Sequence, residues 1–188
     1  MQSKEHWENV YTTKAADEVS WFQEHAALSL KLIREAGVPL TASIIDVGGG
    51  ASTLVDDLLA NGYENVTVLD LSGKALATAK ARLGTLASKV QWLEANIIET
   101  KLDSNAYDVW HDRAVFHFLT TTEERHAYVQ AVLRAVKPGG LVIVATFAED
   151  GPSKCSGLSV MRYDANELHA KFGEPFVMLG HEKESHHT

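Results

Sequence analysis

A doubly wound α/β fold, a mostly parallel sheet with helices on both faces, is predicted by three features of the sequence. Short apolar runs alternate with amphipathic stretches, and the connections between them are short. Ile44 to Thr53, IIDVGGGAST, reads as a buried strand, a glycine turn and the opening of a helix. The next apolar run, VTVLDLS, ends on Asp70, twenty residues past Gly50. A strand, a tight turn and a helix N-terminus let backbone N–H groups approach a ligand closely. A carboxylate ending the following strand is then placed to accept hydrogen bonds from two ribose hydroxyls.

The elements follow in order. Residues 1–40 carry Trp7, Tyr11, Trp21 and Phe22 ahead of any strand, and read as an aromatic helical segment preceding a main domain at 41–188. Such a segment serves either as a lid over a bound ligand or as a helix laying an aromatic stripe on the sheet. Strands are expected near 43–47, 65–70, 89–93, 106–111 and 140–147, and helices near 23–36, 52–61, 73–83, 122–137 and 164–172. Two helix starts have a local cause, because Thr121 with Glu124 and Asp164 with Glu167 have capping-box spacing. Pro138-Gly139-Gly140 is expected to stop the long helix and lead into the fifth strand. After the last helix, GEPFVMLGHEKESHH is expected to add a strand near 175–184.

The ligand class turns on two residues. A dinucleotide fingerprint wants G-x-G-x-x-G or Ala, and here the frame reads Gly48, Gly50, Thr53. Asp46, inside the strand, would repel a pyrophosphate, but it suits a ligand carrying an amino group and a sulfonium. S-adenosyl-L-methionine has both and no phosphate.

Asp46-x-Gly48-x-Gly50, Asp70, Asn96-Ile97, YDVWHD at 107–112 and LRAVKPGGLVIV at 133–144 together resemble the class I S-adenosylmethionine-dependent methyltransferases, in order and spacing, over roughly residues 40–150. Ser52 stands where the family often has a third glycine, and Asn96 where an acidic residue is usual. The resemblance implies that Gly48 and Gly50 run beside the cofactor and that Asp46 lies near the amino group of its methionine part. It further implies Asp70 on the ribose, Leu71 under the adenine, and Asn96 with the Ile97 backbone at the adenine edge. A turn residue is the plainer reading of Asn96. Tyr11 and Trp21 are expected near the methionine end, beneath the lid. The aromatic spacing before the first strand also looks like that of small methyltransferases related to lysine methyltransferases acting on citrate synthase and an elongation factor. The family sheet commonly ends in an antiparallel pair, whose final strand has no counterpart here. Either a truncated chain or a neighbouring chain at the open edge would account for that.

Methyl transfer from a sulfonium needs alignment and exclusion of water, and a base only where the acceptor arrives protonated. Asp112 and His117 follow the fourth strand at the carboxyl edge of the sheet, where such proteins place their ligands, and are the candidates for orienting the acceptor or taking its proton. The plainer readings are a helix cap for Asp112 and a half-buried helix histidine for His117. No cluster has metal-ligand spacing, and adjacent His186 and His187 read as a solvated tail.

The net charge of −8 disfavours nucleic acid as a partner and fits a basic or neutral acceptor, a small molecule or a protein side chain. One cysteine, Cys155, excludes an internal disulfide, and no apolar run is long enough to span a bilayer, so the cytoplasm is the expected location. The oligomeric state is not legible. The expected activity is methyl transfer with S-adenosyl-L-homocysteine as product. A non-catalytic cofactor- or partner-binding module is the alternative, and an NAD-dependent oxidoreductase is disfavoured by Thr53 and Asp46.

Overall fold

The computed structural model describes residues 4–13 and 23–185 of the 188-residue chain. Trp21, Phe22, His186 and His187 lie outside the described residues. Five parallel strands form the main sheet in the order β3-β2-β1-β4-β5. They are β1 (Ser43–Val47), β2 (Asn65–Asp70), β3 (Val90–Glu94), β4 (Tyr107–Arg113) and β5 (Val136–Ala145). β1 lies at the centre because both its faces are apolar: Ile44 and Ile45 are wholly buried, on opposite sides.

Helices cover both faces. On one lie α2 (Ala27–Glu35), α3 (Leu54–Ala60) and α4 (Gly73–Leu83), where Ile33, Leu54, Leu58 and Leu76 pack on Ile44, Val66, Val68 and Val109. On the other lie α5 (Thr122–Ala135) and α6 (Ala165–Phe172), where Tyr128, Val132 and Phe172 pack on Ile45, Val47 and Trp110. Both capping boxes form: Thr121 and Asp164 accept from the N–H groups of Glu124 and Glu167, which reach back to the cap N–H groups. The N-terminal helix α1 (Lys4–Thr13) buries none of its residues fully and lies against α4.

Three expectations are corrected. The long helix ends at Ala135, and Pro138-Gly139-Gly140 falls inside β5 instead of between helix and strand. A residue before proline is driven to extended backbone, so the chain leaves the helix early. The register against β4 shifts between Tyr107 and Val109, where a Cβ on Gly140 would meet the Asp108 carbonyl at 3.0 Å. Second, α2 starts at Ala27 instead of residue 23, because Asp57 of α3 accepts the Ala26 N–H at 2.9 Å and contacts His25 Nδ1 at 2.8 Å, fixing a non-helical entry. Third, residues 175–184 form no strand. Val177 and Leu179 are 80% and 82% exposed, so no apolar face draws the segment onto the sheet. Polar ties hold it instead, Lys31 to Glu182 at 2.8 Å and Gln23 to Glu184 at 3.0 Å. β5 is therefore an edge strand among the described residues.

A short hairpin, β6 (Lys154–Cys155) and β7 (Leu158–Ser159), was not anticipated from sequence. Its two-residue turn, Ser156-Gly157, has φ of 48° and 78°, as a primed turn requires.

Candidate cofactor site

The glycine turn is pinned to the end of β2, since Gly48 and Gly49 donate to the Leu69 carbonyl at 2.7 and 3.3 Å. Gly48 has φ of +72°, and a Cβ there would fall 2.0 Å from Val115 Cγ2. Gly49 and Gly50 make room for carboxylates: a Cβ would stand 2.5 Å from Asp46 Oδ2 at the first and 2.6 Å from Asp70 Oδ2 at the second. Gly49 thus belongs with Gly48 and Gly50, although the fingerprint spacing skips it. Arg82 of α4 clamps the far side of the turn, donating to the Ala51 and Ser52 carbonyls at 2.9 and 2.7 Å and pairing with Asp56. The glycine turn is thereby tied to both β2 and α4.

A cleft opens over the carboxyl edge of the sheet. Gly48, Asp70, Leu71, Ala95 and Ile97 line one part, and Arg113, Ala114, Val115, Phe118 and Cys155 the other. Trp7 and Tyr11 of α1 also line it. Helix α1 is held there by Lys4 on Glu94, Glu8 on the Ser72 hydroxyl at 3.1 Å, and Trp7 edge-on to Phe118 at 5.2 Å between centroids. Ala114 has φ of +76°, a costly backbone for a residue with a side chain, at the point where β4 turns into the cleft wall.

Of the residues anticipated for the cofactor, Tyr11, Gly48, Asp70, Leu71 and Ile97 line the cleft. Asp46 in β1 and Gly50 in the turn do not line it; they pack against Gly49 and Asp70 respectively. Asn96 makes the plainer contact: its Oδ1 accepts the Ile98 N–H at 3.2 Å in a side-chain turn, presenting Ile97 to the cleft. Asp70 is buried and accepts the Ser72 N–H at 2.8 Å. Burial pushes its pKa up to about 7, the Ser72 N–H opposing and the nearby Asp46 charge adding to the rise.

Asp112 and His117 do not line the cleft. Asp112 is wholly buried and accepts from the Val115 and Phe116 N–H groups at 2.7 and 3.0 Å and from the Tyr128 hydroxyl at 2.5 Å. Burial raises it to about 6 against the pull of these donors. Its geometry is that of a cap on the turn behind the cleft wall. His117 is also buried, between Phe147 and Phe118 with centroids at 4.8 and 4.4 Å, and neither ring nitrogen has a partner among the described residues. Desolvation lowers its pKa to about 4, so the ring is neutral at physiological pH. The sequence pattern located the carboxyl edge of β4 but not the directions of these side chains. Trp7, Phe118 and Cys155 complete the cleft through long-range packing that no local motif signals. Burial raises the Cys155 thiol, which keeps it protonated.

A doubly wound sheet with a glycine turn after β1, a buried carboxylate ending β2 and a mainly apolar cleft at its carboxyl edge has the layout of the Rossmann-like class. The family model for the methyltransferase domain matches residues 45–144, more than half of the chain. The chain belongs to this family of S-adenosylmethionine-dependent methyltransferases. EEF1A lysine methyltransferase 2 of Homo sapiens is 23% identical over 163 residues, covering 77% of this chain and 67% of that protein. The Mus musculus protein of that name is 22% identical over 77% of this chain and 65% of its own length, so the chain spans about two thirds of these curated relatives. Among solved structures, one described as converting a disulfide bond into a thioacetal group during echinomycin biosynthesis superposes with a TM-score of 0.69, at 18% identity over 90% of this chain and 77% of that one. A Haemonchus contortus phosphoethanolamine N-methyltransferase 2, in complex with phosphomonomethylethanolamine and S-adenosylhomocysteine, superposes at 0.65, with 20% identity over 80% of this chain and 37% of that one. At these identities the superpositions establish the fold. Among the described residues no helix is long and apolar enough to cross a membrane, and no three His, Cys, Asp or Glu side chains converge as a metal site.

Proposed function

We propose that this chain binds S-adenosyl-L-methionine in the cleft at the carboxyl edge of β1, β2 and β4 and delivers its methyl group to an amine, most simply a lysine side chain of a protein. The observation that carries the cofactor reading is the pair of buried carboxylates at the glycine turn: Asp70 facing the cleft, and Asp46 with Oδ2 buried and unpartnered. Such a set suits a ligand offering two ribose hydroxyls and an ammonium, and repels a pyrophosphate. When bound, the cofactor supplies an electrophilic methyl on a sulfonium. Gly48 brings backbone to the ligand, Leu71 and Ile97 wall the adenine, and Asp70 takes the ribose. The amine acceptor rests on the lysine methyltransferase relatives, the net charge of −8, and the aromatic faces of Trp7 and Phe118, which favour an alkylammonium. Because Asp112 and His117 lie behind the wall, we assign them to positioning: the acceptor ammonium first gives its proton to solvent at the cleft mouth, and the freed nitrogen then attacks the methyl carbon in line as the carbon–sulfur bond breaks and S-adenosylhomocysteine leaves.

Calorimetry with S-adenosylhomocysteine and with NAD tests the cofactor, and only the first should bind. A labelled methyl donor in a cell lysate then finds the acceptor; cofactor binding without label on any protein or amine would favour a binding module.

The raised pKa of Asp70 gives a pH test. Between its ordinary 3.8 and about 7, the folded protein holds a proton that the unfolded chain has released. Ionised Asp70 thus costs stability progressively as pH rises through this window. Ligand that hydrogen-bonds to the carboxylate should bind more tightly over the same rise. Affinity for S-adenosylhomocysteine is expected to increase from pH 5.5 to 8, and Asp70→Asn to flatten that dependence. Asp70→Ala should lose about 1.5–3 kcal/mol of binding at pH 8. A wild-type affinity independent of pH would remove the ionised carboxylate from the ribose site.

In this reading α1 is the lid. It has no fully buried residue and is held mainly by polar contacts at the rim. Hydrogen exchange across residues 4–13 should slow on adding S-adenosylhomocysteine. Equal, strong protection with and without ligand would make α1 a fixed structural helix and remove Tyr11 from the site.

A further inference from the structure

Behind the glycine turn lies a buried chain of three polar side chains from three elements. His111 of β4 stands beside Asp46 of β1 in register, and its Nδ1 is 2.7 Å from Asp46 Oδ1. Its Nε2 is 2.8 Å from the hydroxyl of Ser29 on α2. Ser29, Asp46 and His111 are 7%, 2% and 1% exposed. A carboxylate only accepts, so Nδ1 carries the proton and donates to Asp46; in the neutral ring Nε2 then accepts from Ser29. Asp46 Oδ2 is left buried with no partner among the described residues, over the space that Gly49 leaves by lacking a Cβ.

A buried carboxylate oxygen without a hydrogen bond is costly; Val68 beside it is apolar, and Arg113, near enough to feel the Asp46 charge, gives Oδ2 no hydrogen bond. With Oδ1 engaged by His111, the carboxylate cannot rotate to bury Oδ2 against another donor without breaking that bond. We propose that His111, itself fixed by Ser29, is a positioning residue that holds Asp46 so that Oδ2 receives the ammonium of the cofactor's amino-acid part. This rests on the cofactor reading above and adds two residues, His111 and Ser29, that touch no ligand. It makes a specific demand: losing the relay weakens recognition of the amino-acid part and leaves recognition of the nucleoside part alone.

Two ligands separate those parts. S-adenosylhomocysteine carries the amino acid; 5′-methylthioadenosine keeps the nucleoside and thioether and lacks it. Calorimetry on the full chain should show His111→Leu losing about tenfold or more in affinity for the first, the scale of a hydrogen bond to a charged group, and under about twofold for the second. His111→Asn places an amide N–H near the position of Nδ1 and should restore most of the loss. Asp46→Asn should show the same selectivity, and adding it to His111→Leu should cost little more, because the two act on one contact. Should His111→Leu not fold, Ser29→Ala decides, with a selective loss of about threefold expected. Equal losses for both ligands, no loss for either, or no rescue by asparagine would overturn the relay. A wild-type chain that binds neither ligand would instead overturn the cofactor reading beneath it.

Discussion

Gly48→Val is expected to abolish cofactor binding and to destabilise the fold by roughly 2–6 kcal/mol, combining backbone strain with overpacking. Two costs act at once. The backbone at Gly48 has φ of +72°, which a β-branched side chain scarcely tolerates, and the new Cβ would fall 2.0 Å from Val115 Cγ2. Relief would require moving Val115, whose N–H is held by Asp112 at 2.7 Å. Gly37 supplies the control, because its φ is +67° but a Cβ there would meet nothing within 4 Å. Gly37→Val should therefore show the strain without the collision and leave ligand binding intact. Denaturant unfolding with calorimetry on both variants measures the difference. Equal destabilisation, with S-adenosylhomocysteine still bound by Gly48→Val, would mean that the turn is not where the ligand meets the backbone.

Asp112→Ala is expected to cost about 3–5 kcal/mol of stability, the scale for breaking a buried charged network. The loss strands three donors in the core: the Val115 and Phe116 N–H groups and the Tyr128 hydroxyl, which also accepts from Trp110 Nε1 at 2.9 Å. Asp112→Asn keeps the shape and one acceptor oxygen, so it should cost less. With a folded pKa of about 6 against an ordinary 3.8, Asp112 loses stabilising effect as pH rises through that window, and Asp112→Asn should reduce the slope there. If Asp112→Asn folds with wild-type stability and transfers methyl far more slowly, the carboxylate takes part in the chemistry and not only in the turn.

The sheet was legible because each strand is a short apolar run bounded by turn residues. The expected limits of β1 and β2 coincide with the observed ones, and those of β3 and β4 differ by one or two residues. Two helix starts were legible because their caps are local, each completed within four residues. The fate of residues 175–184 was not, since alternating Val177 and Leu179 makes a strand only where a partner edge and an apolar face await it. The site divides in the same way. Gly48, Asp70, Leu71 and Ile97 reach the cleft because strand ends and turns fix them through neighbouring residues. Asp112 and His117 lie on the correct stretch, but the pleat and the short 3₁₀ turn at Phe116–Phe118 direct them into the core. Trp7 meets Phe118 across more than a hundred residues of chain, which no periodicity encodes.

The placement of β1 between β2 and β4 has a kinetic consequence. Pairing with β2 closes a short loop through α3, whereas Asp46 and His111 are 65 residues apart along the chain. Closing that larger loop costs more chain entropy before any contact offsets it, so the second edge of β1 is expected to join later than the first.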